Sequence, residues 1–70
     1  MRIRANDYEP REIMKIIREW SEMTQERFGE SIHRSLRSVQ AFEQGERNYT
    51  MVTLLEVAKI HGLTITIEKK

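Results

Sequence analysis

Between residues 8 and 22 the apolar positions Ile13, Ile16, Ile17 and Trp20 recur at the spacing of one helix face, with Met14 beside them. That pattern predicts an amphipathic first helix. Asp7 can cap it, Pro10 is tolerated where the first-turn amides have no intrahelical acceptor, and Glu9 and Glu12 suit the positive end of the dipole. A second helix is predicted over 24 to 32, capped by Thr24, with Phe28 and Ile32 on one face and Gly29 beside them. A third runs from 35 to 44: Ser35 caps it, Leu36, Val39 and Phe42 recur along it, and Gly45 offers a left-handed stop. After the polar loop Glu46 to Tyr49, Thr50 caps a fourth helix, 50 to 61, with Met51, Leu54, Leu55 and Ala58 on its stripe and Gly62 at its end. Val57 and Ile60 lie off that stripe and widen the apolar surface. Leu36 can either extend the core stripe of the third helix or face outward, and Trp20 reads as core, otherwise as an interface residue.

Beyond Gly62 the period changes. Leu63, Ile65 and Ile67 alternate with Thr64, Thr66 and Glu68, which predicts a strand over 63 to 68. A lone strand leaves its amides and carbonyls unpaired. Its partner is either MRIRA at the N-terminus or the same segment of another subunit, and the second subunit is favoured. The expected fold class is therefore all-α: one domain, residues 1 to 70, of four helices with a short C-terminal β-strand.

Composition narrows the chemistry. The chain has 70 residues, 39% of them apolar, which suffices for one small core and leaves little room for a large active-site pocket. The absence of cysteine excludes disulfides, thiolate zinc sites and a cysteine nucleophile. His33 and His61 lack the spacing of metal ligands, no Gly-x-Ser-x-Gly elbow is present, and no glycine-rich loop leads into a helix with a lysine. No enzyme activity, cofactor or metal is expected. No apolar run approaches the roughly 18 residues of a membrane span, so the expectation is a cytoplasmic, nucleoid-associated protein without a membrane partner. The net charge of +1 gives no general attraction to a polyanion, so the placement of charge has to decide.

Two short helices joined by a tight turn match the layout in which the second helix enters a DNA major groove. The stretch MTQERFGESIHRSLRSVQAFEQGERNY, residues 23 to 49, resembles the Cro and lambda-repressor-type (XRE-like) helix-turn-helix family without a gap. The likeness covers Thr24-Gln25 opening the second helix, Gly29, Val39, the Phe42-Glu43 pair and Gly45-Glu46-Arg47-Asn48. TLLEVAK, residues 53 to 59, carries it forward, and Arg18 carries it back into the first helix. The resemblance implies a lambda-repressor-like bundle, an Arg18–Glu43 salt bridge tying the first helix to the third, and base contacts from Ser35, Leu36, Arg37, Gln40 and Ala41. It implies phosphate contacts from Gln25, Gln44, Arg47 and Asn48, and Arg34 and Ser38 are placed to reach the DNA backbone as well. Chemistry agrees with the base contacts: arginine bonds bidentately to guanine, glutamine to adenine, and Leu36 or Ala41 can meet a thymine methyl.

Two positions depart from the family pattern. His33 stands where a turn glycine is frequent and Arg34 where an apolar residue is usual, so a reshaped turn is expected. Residues 24 to 50 also hold four arginines and four glutamates, which predicts modest sequence-independent DNA affinity and a need for a dimer. A strand directly after the fourth helix resembles antitoxins that partner persistence-type kinase toxins, whose dimer strands, here Leu63, Ile65 and Ile67, pair between subunits. The function expected from this resemblance is a homodimeric, sequence-specific transcriptional regulator, a repressor of bacterial, phage or mobile-element kind acting on double-stranded DNA. The alternative is a protein-interaction module, either an antitoxin that neutralises a toxin or a modulator that binds a partner repressor.

Overall fold

The computed structural model describes residues 1 to 70 and contains helices only: α1 (Pro10–Trp20), α2 (Gln25–Ser31), α3 (Leu36–Gln44) and α4 (Met51–Ile60), preceded by one 3-10 turn at Ala5–Asp7. No helix is long and apolar enough to cross a membrane. One core draws on all four helices: Met14 and Ile17 from α1, Phe28 and Ile32 from α2 and its end, Val39 and Phe42 from α3, Leu54 and Val57 from α4. Ile13, Met23, Tyr49 and Leu63 pack around it.

Hydroxyls begin three of the helices. Thr24, Ser35 and Thr50 each accept a hydrogen bond from the amide three residues on, satisfying one of the orphan donors of the first turn. α1 starts differently from the sequence expectation. Asp7 lies in the 3-10 turn, and the cap is Glu9, whose amide donates to Glu12 Oε1 at 3.0 Å. Pro10 fixes this boundary, because the residue before a proline is pushed into extended backbone and proline itself suits the first helical position. The other end of α1 comes earlier than residue 22, after Trp20, and Glu22 adopts the left-handed conformation (φ 54°) with no glycine to mark the stop.

Two buried faces are rotated from the stripes read in the sequence. In α1 the inward side is centred on Met14, Ile17 and the partly buried Arg18, while Ile13, Ile16 and Trp20 occupy its half-buried margin. A charged residue on the inner face hid it from the apolar pattern. In α4 the buried residues are Thr53, Leu54, Val57 and Ala58, whereas Met51 and Leu55 are exposed. The expected stripe there was half right. Thr53 can be buried because its hydroxyl bonds Thr50 and Arg34.

The single chain holds no C-terminal strand. Residues 64 to 70 form no backbone hydrogen bond, and MRIRA does not pair with them. Leu63 marks the last attachment: its amide donates to Ala58 O at 2.8 Å as Gly62 turns the chain through a left-handed φ of 69°. Alternation of side chains cannot by itself form a ladder without a neighbouring strand.

Candidate functional site

α3 is held in place from behind. Arg18 Nε donates to Glu43 Oε2 at 2.7 Å and Arg18 Nη2 to Glu43 Oε1 at 3.0 Å, a bidentate pair between α1 and α3. Arg18 Nη1 donates to the Met23 carbonyl at 3.0 Å, and Gln25 Nε2 reaches Glu43 Oε1 at 3.3 Å. One carboxylate and one guanidinium therefore tie α1, the loop after it, the start of α2 and the end of α3 into a single knot. Donating to the Glu43 carboxylate makes Arg18 hold its proton more firmly than usual, against the opposing effect of burial.

The crossing of α2 and α3 depends on a missing side chain. A Cβ on Gly29 would lie 2.7 Å from the Arg34 carbonyl oxygen and 3.3 Å from Val39 Cγ2. Gly29 O in turn accepts the Arg34 amide at 2.8 Å, so the helix end and the turn meet backbone to backbone. His33 takes the left-handed conformation there (φ 59°), the geometry that glycine adopts without strain. The turn is thus kept in its left-handed shape by a residue that adopts it at some cost.

The outward side of α3 carries most of the residues singled out for base contact. Ser35 caps the helix and is exposed, Leu36 is 41% exposed and outside the core, Arg37 is exposed and Gln40 half-buried. Ala41 differs: it is buried at the foot of this face, and its carbonyl accepts the amides of Glu46 and Arg47. Arg37, Gln40, Ala41, Gln44, Glu46 and Arg47 line a polar groove of about 270 Å³. The side chains of Arg37, Gln40, Gln44 and Asn48 make no hydrogen bond within the molecule, although each carries several donors.

The remaining residues singled out for phosphate contact are partly engaged. Arg47 Nη1 donates to Ser38 Oγ at 3.0 Å, and Ser35 Oγ to the same oxygen at 3.1 Å, so Ser38 keeps its own proton for an outside acceptor. Arg34 Nη2 donates to Thr53 Oγ1 at 3.2 Å and leaves its other donors free on an exposed side chain. Gln25 uses one amide proton on Glu43 and keeps its carbonyl and second proton.

Two features of the scaffold had no signal in the sequence. The His61 ring stacks on Phe28 with centroids 5.1 Å apart, and its two nitrogens lie 3.3 Å from Ser21 Oγ and 2.9 Å from Ser31 Oγ. Each serine hydroxyl also donates to a backbone carbonyl of its own helix or helix end, so His61 joins the C-terminal ends of α1, α2 and α4. Tyr49 sits edge-on to Phe42, and its hydroxyl donates to the Pro10 carbonyl, closing the loop after α3 onto α1. Positions 21, 31 and 61 share no spacing that a pattern could reveal. No three His, Asp or Glu side chains converge as a metal site requires. Comparison with family models, curated proteins and solved structures gives no match for this chain.

Proposed function

We propose that this chain is a sequence-specific DNA-binding transcriptional regulator of the lambda-repressor-like class, in which α2 and α3 act as a helix-turn-helix and α3 enters the major groove. The observation that carries the reading is the contrast between the two sides of α3. Its inner side is locked by the Arg18–Glu43 pair, and its outer side presents Arg37, Gln40 and Gln44 with unspent donors and acceptors. A rigid rod bearing planar amide and guanidinium groups is what direct readout of base edges needs. Arg37 is assigned to guanine and Gln40 to adenine, with Leu36 available to a thymine methyl. Arg34, Ser38, Arg47, Asn48 and Gln25 flank this surface and fix register on the phosphates. Two subunits, joined in part by their Leu63–Glu68 segments as a paired strand, set two α3 helices on half-sites roughly 34 to 36 Å apart. Regulation acts by occupancy of an operator, as a repressor.

A protein-interaction role, as antitoxin or as modulator of another repressor, is favoured by one observation. The arginines and glutamates of residues 24 to 50 cancel, and Glu46 sits in the groove beside Arg37 and Arg47. Selection from random duplex DNA followed by a salt titration separates the two. A DNA reader yields a preferred sequence whose affinity falls with salt, with a log–log slope of about −4 if Arg34 and Arg47 of both subunits neutralise phosphates. Selection that enriches no sequence rejects the DNA reading and leaves the interaction module.

A further inference from the structure

α4 is apolar on both sides. The inner side belongs to the core, and on the outer side Met51 is 59% exposed, Val52 65%, Leu55 49% and Ile60 49%. Only Glu56 and Lys59, of opposite sign and one turn apart, share that outer side with them. The chain then continues into a tail with Ile65 and Ile67 exposed and no backbone hydrogen bond beyond Leu63. A compact folded chain of 8.4 kDa exposes about 4,600 Å², whereas this one exposes 5719 Å². The excess of about 1,100 Å² comes from the extended residues at both ends as well as from the outer side of α4.

We propose that the outward face of α4 is the contact surface for a second copy of this chain, packed antiparallel about a dyad that passes between Val57 and Ala58. Self-pairing follows from the charges. In that register Glu56 lies level with Lys59 of the partner subunit and Lys59 with Glu56 of the partner subunit, so the one face complements itself. Leu55 lies level with Ile60 of the partner subunit, and Val52 with Leu63 of the partner subunit, so the two tails leave from opposite ends of the contact. Isologous contacts of this kind are the commonest way in which small chains associate. The inference goes beyond tail pairing, because it makes α4 the main contact, and it does not depend on DNA binding.

Analytical ultracentrifugation of the intact chain over a micromolar concentration range, without DNA, tests it. The expected result is a species of twice the chain mass at the upper end. Leu55→Glu should raise the dissociation constant at least about tenfold, and Glu56→Lys should raise it in the same direction while removing no apolar contact. The double variant Glu56→Lys/Lys59→Glu should recover the association of the parent chain. All three positions are solvent-exposed in the single chain, so circular dichroism should report unchanged helix content. A parent chain that stays monomeric overturns the proposal, as does a dimer indifferent to Leu55→Glu and Glu56→Lys. A dimer abolished only by Ile65→Lys/Ile67→Lys would assign association to the tail and also overturn it.

Discussion

The helices α3 and α4 flank one core and present opposite outer faces. That of α3 is polar: arginine and glutamine side chains stand free above a scaffold whose own polar groups are paired. That of α4 is apolar, relieved by one glutamate and one lysine. Both helices bury an inner face, Val39 and Phe42 in one and Thr53, Leu54, Val57 and Ala58 in the other. The difference therefore has nothing to do with folding the single chain. An outer face rich in unspent hydrogen-bonding groups suits a polar ligand, and one rich in aliphatic carbon suits burial against protein.

The division can be broken from its inner side first. Leu54→Ala should cost about 3 kcal/mol in urea denaturation, the usual penalty for emptying a buried leucine site. Leu55→Ala, measured under monomeric conditions, should change stability by less than about 0.5 kcal/mol. Equal costs would mean that α4 is turned otherwise than described. Arg18→Ala should cost about 3 kcal/mol, because it leaves the Glu43 carboxylate, 5% exposed, without its counter-charge. Arg18→Met combined with Glu43→Leu should regain most of that loss. If the single and double replacements behave alike, the pair is not what holds α3 in place.

Smaller effects sharpen the description of the turn. Gly29→Ala should cost about 2 kcal/mol, since the neighbour it would strike is backbone and cannot swing aside. His33→Gly should raise stability by about 0.5 to 1 kcal/mol by relieving a left-handed non-glycine residue. A loss on that substitution would show that the His33 ring contributes more than its backbone strain costs. The smallest effect is a pH dependence at Tyr49. Burial raises its phenol above the usual 10.0, so the unfolded chain ionises first. Stability should be intact below about pH 10 and decline as pH rises from there through the folded value. Tyr49→Phe should remove the decline while losing the hydrogen bond to Pro10, which pH-dependent thermal melts of both proteins would show.

The region from α2 to Gly45 was legible because its punctuation is local. Thr24, Ser35 and Gly45 act within one turn of their own position, and Phe28, Ile32, Val39 and Phe42 face a single core. α4 was legible as a helix, not as a face, because a helix apolar nearly all round gives no periodicity from which to choose the buried side. The α1 face is hidden from the sequence for the opposite reason: the partly buried Arg18 counts as polar until its carboxylate partner is known. Leu63 to Glu68 have the alternation of a strand and no partner in the single chain. A one-chain pattern cannot supply the second strand. The His61 clamp on Ser21 and Ser31 was invisible because it depends on three helix ends meeting in space.

The account rests most on Arg37 as a base reader on the outer face of α3. Fluorescence anisotropy with a duplex selected from random sequence, comparing the parent chain with Arg37→Ala at one fixed salt concentration, tests it directly. The account predicts a loss of about 5- to 150-fold on the selected duplex with relaxed preference at one base pair, and little change on unrelated DNA. Equal binding of the selected duplex by both proteins, with the same sequence preference, would contradict it.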